Sequence, residues 1–260
     1  MKKTFLLSCL MLAAMPVMAA YTGHVYVDKN KNGVFDQSEK PLAGIKVSDG
    51  LNVVETAADG SFTLPGHERE RFIFITTPSG YKTFNRHYHK IEKKQSGYDF
   101  GLIPYSGRIR KNGSHRYIHI ADTEIFNTEN HADWVNNVRD YARNEQAAFI
   151  IHTGDICYEK GLKAHIKLMN TENMDCPVFY CIGNHDLVKG KYGEELFESI
   201  YGPVYYSFDA GNVHYVVTPM PGGDHAPGYT SDDVCRWLKN DLAHIRPGTP
   251  VVVFNHDLLT

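Results

Sequence analysis

The sequence has little cysteine, no extreme of net charge and no long apolar run beyond its first residues. Five of the 260 residues are cysteine, and their spacing fits no disulfide framework, which argues against a small disulfide-stapled scaffold. We expect the four that follow the amino-terminal segment to be small buried side chains, although an oxidising compartment would permit pairing. These four are Cys157, Cys176, Cys181 and Cys235. The net charge of −3 gives no indication of binding to nucleic acid or to an anionic membrane.

The amino-terminal segment has the pattern of an export signal. Lys2 and Lys3 precede a short apolar run from Phe5 to Met15, and Val17–Ala19 resembles the small-residue site that signal peptidase cuts. The apolar run is too short to cross a bilayer as a stable helix. We therefore predict that residues 1–20 are removed. A bacterial protein would then be exported to the periplasm, the cell surface or the medium, with no transmembrane segment remaining.

Residues 21–105 alternate short strand patterns with turns and show no helical period. Asp49-Gly50 and Asp59-Gly60 are strong turn signals between these strands. Regular short strands of this kind predict a small all-β sandwich. A polar, glycine-containing stretch at residues 106–115 follows, and it is the predicted linker to a second domain.

One loop of this β module matches the twelve-residue calcium-binding pattern at every specified position. Gly33 allows the sharp turn, and Glu39 would bind the ion with both carboxylate oxygens. The other ligands would be Asp28, Asn30, Asn32, the carbonyl of Val34, and Asp36 acting through water. A strand pattern precedes the loop and Pro41 follows it, which is unlike an EF-hand. Three carboxylates suggest modest affinity, suited to extracellular calcium. The alternative is a polar turn rich in Asn and Gly.

From Arg116 onwards, strand patterns alternate with helical patterns, which predicts a βαβ sheet. Four apolar runs each lead into Asp, Asn or His side chains. The runs are residues 117–121, 148–153, 178–182 and 251–254, and they lead into Asp122-Thr123-Glu124, Gly154-Asp155, Gly183-Asn184-His185-Asp186 and Asn255-His256. Open α/β sheets carry their sites at the carboxyl ends of strands. We therefore expect these polar side chains to form one site.

The four blocks resemble the signature of the calcineurin-like metallophosphoesterase superfamily, which runs Asp-x-His, Gly-Asp, Gly-Asn-His-Asp/Glu and a lone His. The second and third blocks match fully, and Asp122 and His256 match the first and last positions. The resemblance implies an α/β fold, the four-layer α/β sandwich of that family, over residues 116–260. Residues 45–81 resemble the immunoglobulin-like or prealbumin-like module that precedes the phosphoesterase domain in some exported bacterial enzymes.

The resemblance also implies two divalent metal ions, Mn, Fe, Mg or Zn, which would serve phosphoester hydrolysis. Asp122 and Asp155 would bind the first ion. Asp155, Asn184 and His256 would bind the second, so that Asp155 bridges the pair. Glu124 stands where the family usually has His. It either binds a metal, which would favour harder ions, or points away.

The resemblance implies that the two remaining matched residues, His185 and Asp186, take part in proton transfer. His185 would be the general acid for the leaving group, oriented by Asp186, and a histidine titrates near neutrality, as that role requires.

The family's final block, Gly-His-x-His, does not occur before Thr260, so we expect the chain to be cut before it. Two hypotheses of function follow. The first is an exported metal-dependent phosphoesterase acting on phosphomonoesters or phosphodiesters of small molecules, glycans or lipids. The second is an inactive remnant that keeps a calcium-binding β module and an incomplete scaffold. Residues 190–195 and 219–229 have the character of substrate loops but do not identify the substrate.

Overall fold

The computed structural model describes residues 20–84, 86–95, 97–105 and 108–257. The predicted export signal therefore lies outside the described residues except for Ala20. The same holds for residues 106–107 of the predicted linker and for residues 258–260. Across the described residues, no helix combines the length and the apolar character needed to cross a bilayer.

Between residues 21 and 104, the part of the chain that the structure describes forms nine short strands in two sheets. The strands are β1 (Tyr21–Val27), β2 (Lys40–Pro41), β3 (Lys46–Ser48), β4 (Val53–Glu55), β5 (Ser61–Leu64), β6 (Phe72–Ile75), β7 (Tyr81–Thr83), β8 (Tyr88–Lys90) and β9 (Phe100–Pro104). One sheet has the order β2-β1-β9-β7, with β5 also paired to β1, and the other has the order β4-β3-β6-β8. The first strand and the last, β1 and β9, pair in parallel, because the whole module lies between them and can return the chain to the same end.

The two sheets enclose one apolar core, as a β sandwich requires. Alternate residues of the strands supply it, among them Val25 from β1, Val47 from β3, Phe62 from β5 and Ile73 from β6, each at most 4% exposed. The predicted all-β module is thus present, and its turns fall at the predicted Asp-Gly pairs.

Residues 117–254 form a mixed α/β region with two three-stranded sheets and four helices. The elements are β10 (Tyr117–Ile120), α1 (Ala132–Asn144), β11 (Phe149–His152), α2 (Tyr158–Leu168), β12 (Val178–Tyr180), α3 (Glu195–Tyr201), β13 (Tyr206–Ala210), β14 (Val213–Val217), α4 (Ser231–Ala243) and β15 (Val251–Phe254). Strands β10, β11 and β12 are parallel neighbours. Strands β13 and β14 form a hairpin, and β15 runs parallel to β14. The predicted α/β fold is confirmed.

The two sheets of this region face each other through a cluster of aromatic rings. Phe179 of β12 stacks on Phe208 of β13, with ring centroids 3.6 Å apart, and Phe149 of β11 meets the same ring edge-on at 5.0 Å. Tyr215 stacks on Phe254 at 5.7 Å. Each such pair contributes about 0.5–1.5 kcal/mol beyond its area burial. The ring of Phe254 on β15 also meets that of Tyr117 on β10 at 5.7 Å. The cluster therefore holds β15 against the first sheet, and this sets the position of the residues that follow these strands.

The β module packs directly on the α/β region. Phe74 of β6 lies in the same core as Phe208 and Trp237. At the end of β6 the backbone N–H of Asp209 donates to the carbonyl of Thr77 at 2.8 Å, and Thr77 and Phe208 form a parallel bridge. The shared core and the shared backbone bonds make the module a fixed neighbour of the α/β region.

The four cysteines of the described residues are free thiols. Cys157, Cys176 and Cys181 are buried and Cys235 is exposed. Burial, followed by the nearby Asp155 and Asp186 charges, raises the pKa of the Cys157 thiol to about 12. A buried thiol of this kind is a small apolar side chain, as predicted from the sequence for these three cysteines. The prediction was wrong for Cys235, which lies on α4 with its side chain toward solvent.

Candidate metal centre

The carboxyl ends of β10, β11 and β12 lie side by side because the strands pair in register. Ile120 pairs with His152, and His152 pairs with Tyr180. The residues just beyond these strands therefore meet at one edge, where β15 adds the end of the second sheet. Donor atoms of Asp122, Asp155 and His256 lie within 4.8 Å of one another there. Three of the predicted ligands are thus brought together from three separate strands.

The glycines of the two fully matched blocks are required by a backbone contact at this edge. Gly154 has φ +100°, and a Cβ on it would lie 2.5 Å from the backbone nitrogen of Gly183. A Cβ on Gly183 would overlap the backbone nitrogen and Oδ1 of Asp155. Side chains at either position would push the two strand ends apart, and with them Asp155 and Asn184.

Left-handed backbone is concentrated around the same edge. Positive φ angles that L residues adopt at a cost occur at Asp122 (52°), Glu124 (43°), Asp155 (51°), Cys157 (76°) and Tyr158 (53°). Such conformations persist where surrounding structure enforces them, and they cluster at functional sites. Here the enforcing contacts include the bond from the N–H of Asp122 to the carbonyl of Gly154 at 3.0 Å.

His256 presents a nitrogen lone pair to the cluster. Its Nδ1 lies 2.8 Å from the carbonyl oxygen of Thr153 and can only donate to it. In the neutral ring Nε2 is then the acceptor atom, and it lies 3.4 Å from Oδ2 of Asp155. Two electron-rich atoms that face each other at this distance suit a shared cation. A carbonyl that fixes the second nitrogen is also the usual support of a histidine that ligates metal.

Asp155 occupies the centre of the cluster and is only 7% exposed. Its Oδ1 accepts the backbone N–H of His185 at 3.1 Å, while Oδ2 faces His256. A buried carboxylate needs compensating charge or hydrogen bonds, and besides that backbone donor Asp155 has the Nε2 atoms of His256 and His185 at 3.4 and 4.0 Å. The residues therefore fit a divalent cation, and the hard oxygen donors suit Mn, Mg or Fe, with the imidazole also suiting Zn.

The two remaining predicted ligands are Glu124 and Asn184. Glu124 is exposed and lies outside the group of donor atoms that approach within 4.8 Å. Asn184 is half-buried at the start of the single 3₁₀ turn Asn184–Asp186. Its amide oxygen, a neutral hard donor, stays a predicted ligand on its position beside Asp155.

The carboxylate that contacts the His185 ring is Asp224, which replaces Asp186 in the expected pairing. Nδ1 of His185 lies 2.9 Å from Oδ2 of Asp224. That hydrogen bond, outweighing the effect of desolvation, raises the pKa of His185. The ring's Nε2 lies 4.0 Å from Oδ2 of Asp155, which places it beside the candidate metal position.

Asp186 instead secures the backbone beneath the site. It is fully buried, and its two carboxylate oxygens accept the N–H groups of Cys157 at 2.8 Å and Gly183 at 3.0 Å. Burial raises its pKa against the lowering effect of these bonds. Sequence adjacency suggested a partner for His185, but consecutive residues of a 3₁₀ turn point in different directions.

Sequence reasoning missed Asp224 and Tyr158. Asp224 lies in the loop from Pro219 to Tyr229, which carried no motif, although Gly223 stands where the backbone of Asn184 approaches closely. The Tyr158 ring lies 5.4 Å from that of His185 and the side chain is 51% exposed. Tyr158 begins a helix in a left-handed conformation, which no local pattern indicates.

Comparisons with known families agree with this geometry. The model of the family described as "N terminal of Calcineurin-like phosphoesterase" matches residues 29–104. The model of the family described as "Calcineurin-like phosphoesterase" matches residues 115–260. No curated protein matches the chain. The second match spans more than half of the chain and contains all four strand-end blocks. The chain belongs to the calcineurin-like phosphoesterase family.

Proposed function

We propose that the protein is an exported metal-dependent phosphoesterase with a dinuclear centre. The observation that carries the proposal is the convergence of donor atoms of Asp122, Asp155 and His256 within 4.8 Å, with Nε2 of His185 4.0 Å from Oδ2 of Asp155. Membership of the family supports phosphoester hydrolysis as the reaction, and the cluster is the proposed site of that reaction.

The chain's residues divide into ligands and a proton donor. Asp122 and Asp155 would hold one ion, and Asp155, Asn184 and His256 the other. When bound, the ions would supply charge neutralisation for the phosphoryl group and a water molecule of lowered pKa. Glu124 would bind an ion only if its exposed side chain turned toward the cluster.

His185 would protonate the leaving oxygen. Its Nδ1 is engaged by Asp224, so Nε2 is the nitrogen that faces the site and can carry a proton to substrate. Asp186 contributes by holding the Gly183 backbone, on which the placement of Asn184 and His185 depends. This is a supporting role and involves no contact with the reacting atoms.

The substrate would be a phosphomonoester or phosphodiester of a small molecule, glycan or lipid. Export follows from the amino-terminal pattern of Lys2, Lys3 and the apolar run after them. The competing hypothesis is a catalytically inactive protein that acts only through its calcium-binding β module and keeps a phosphoesterase scaffold without turnover.

A direct experiment separates the two hypotheses. The purified protein, stripped with a chelator and reloaded with Mn²⁺, is expected to hydrolyse an aryl phosphate or a bis-aryl phosphate and to lose that activity on renewed chelation. Metal content would be measured on the same samples. Bound metal with no hydrolysis of either ester would favour the non-catalytic scaffold.

We also propose that the β module binds Ca²⁺ at Asp28–Glu39. The twelve-position match supports this, as does the burial of Asp28 and Glu39, which are 1% and 5% exposed. Oδ2 of Asp28 accepts the N–H of Gly33 at 2.9 Å, which folds the loop tightly around that carboxylate. Among the described residues, the loop's carboxylates do not form a group within 4.8 Å. An ion would therefore draw Asp36 inward from its bonds to Asn30 and Asn32.

The substitution Glu39→Gln tests the calcium site. Titration of the whole protein with Ca²⁺ in the presence of saturating Mn²⁺ is expected to show one site with a Kd of about 10⁻⁴–10⁻³ M, the range of extracellular modules. The variant is expected to lose that site because Glu39 would supply two of its oxygens. Glu92→Gln, an exposed change in the same module, is the control. Equal binding heats for Glu39→Gln and the wild type would exclude this loop.

A further inference from the structure

The loop from Pro219 to Tyr229, which we call the acid-positioning loop, lies on the segment that carries His185. The N–H of Asp224 donates to the carbonyl of Asn184 at 3.1 Å. A Cβ on Gly223 would lie 2.6 Å from that same carbonyl oxygen, so the two backbones touch. The N–H of Gly193 donates to the carbonyl of Ala226 at 2.8 Å. These contacts bring the Asp224 carboxylate to the His185 ring.

The far end of the acid-positioning loop is tied to a buried carboxylate. Glu194 is fully buried, and its two oxygens accept the N–H of Gly228 at 3.1 and 2.9 Å. A buried carboxylate with a single backbone donor is costly, since its charge stays uncompensated. The compensating charge comes from outside the α/β region.

That charge is Arg71, the residue directly before β6 of the β module. Its Nη2 donates to Oε1 of Glu194 at 2.8 Å, and its Nε donates to Oε1 of Glu198 at 3.0 Å. The guanidinium also lies 4.6 Å from the centroid of the Tyr192 ring. An arginine held by two carboxylates and a ring is fixed in both position and direction.

A continuous set of contacts therefore runs from the β module to the candidate general acid. We propose that Asp224 is a positioning residue that orients the His185 ring, and that Arg71 of the β module, through Glu194, holds the acid-positioning loop in place. The β module is then part of the catalytic unit. This inference rests on the proposed function, in which His185 delivers a proton.

The orientation follows from the chemistry of the pair. An ionised carboxylate can only accept, so Asp224 holds the Nδ1–H of the ring. The imidazolium then delivers its Nε2 proton to the leaving oxygen, and the neutral ring left behind keeps its proton on Nδ1. Asp224 also fixes the rotation of the ring, and Nε2 then faces Asp155 at 4.0 Å. Without Asp224 the neutral ring could carry its proton on either nitrogen and could rotate. Asp224 itself need not touch substrate for this effect.

The variant Asp224→Asn tests the first contact. Loss of a partner that orients an imidazole typically costs about 10- to 100-fold, and we expect that loss in kcat with little change in KM or metal content. The loss should be larger for an alkyl than for an activated aryl leaving group, as for removal of the acid itself. Asp224→Glu should recover part of it. Asp232→Asn, an exposed aspartate of α4, is the matched control.

The variant Glu194→Gln tests the connection to the module. It should lower kcat with the same leaving-group dependence, and Asp224→Asn combined with Glu194→Gln should lose no more than Asp224→Asn alone, because both act on one ring. If the loss of kcat in the double variant equals the product of the two single losses, Glu194 acts through general stability and the connection is overturned. An equal loss of kcat on both leaving groups in Glu194→Gln would overturn it as well.

A measurement on the metal-free protein separates this inference from the proposed function. Nitrogen NMR of the neutral His185 ring should show the proton on Nδ1 in the wild type and in Asp224→Glu, with a lower Nδ1–H population in Asp224→Asn. In Glu194→Gln the Nδ1–H population is also expected to fall, but by less than in Asp224→Asn. If the Nδ1–H population of His185 is unchanged in Asp224→Asn, the positioning role is refuted even if the enzyme is active. If the Nδ1–H population falls in Asp224→Asn but the wild-type protein shows no turnover, only the proposed function is refuted.

Discussion

Asp155→Asn is expected to lose bound metal and turnover together. Asp155 faces His256 through Oδ2 and shares the donor cluster with Asp122, so it is the carboxylate best placed to serve two ions. An amide in its place lacks the negative charge and offers one oxygen instead of two. Metal ions supply several kcal/mol of charge stabilisation in such reactions, which corresponds to about 10³-fold or more in rate.

Asparagine is the informative substitution at this position. Asp155 has φ 51°, and asparagine tolerates left-handed backbone better than other L residues except glycine. The variant is therefore expected to fold, which circular dichroism and thermal unfolding would verify. Asp140→Asn on the exposed face of α1 is the control for a lost carboxylate. Wild-type metal stoichiometry in Asp155→Asn, measured by elemental analysis, would contradict its assignment as the bridging ligand.

His185→Ala is expected to keep its metals and lose the acid step. Its ring contacts Asp224 and lies beside Asp155, whose Oδ2 is 4.0 Å away. General acid catalysis contributes about 10²–10⁴-fold, so turnover of a poor alkyl leaving group should fall within that range. An activated phenolate needs little protonation and should be nearly spared. Both esters would be measured on wild type and variant at matched metal content.

The control for this experiment is His24→Ala, an exposed histidine of β1 paired with Asp99. It is expected to behave as the wild type on both esters. A metal-depleted His185→Ala protein would make His185 a ligand, and an equal fractional loss on both leaving groups would remove it from proton transfer.

The order of apolar runs and the residues that end them were enough to predict much of this fold. Val178–Tyr180 and Phe149–His152 are strands because β-branched and aromatic side chains suit a buried sheet. Gly183 and Gly154, two or three residues beyond these strands, allow sharp turns. Asp-Gly turns likewise marked the strands of the β module. These features are local, since each depends on residues within a few positions of one another.

Pairings between distant segments were not readable from the sequence. The partner of His185 is 39 residues away in a loop without regular structure, and the neighbouring Asp186 points into the backbone beneath. The contact of Arg71 with Glu194 spans 123 residues. No periodicity or motif spacing in the sequence indicates either contact, because each depends on how two distant segments of the chain pack together.

The sequence by itself therefore determined the family, the strand-end blocks and the residues that offer donors to a metal, since strand propensity and turn chemistry act over short distances. Tertiary structure alone decided which of those donors meet, which carboxylate orients His185 and how the β module reaches the site. The physical reason is the packing of the two facing sheets around Phe179 and Phe208 and of β6 against β13. Those contacts place side chains from distant parts of the chain within hydrogen-bond reach of one another.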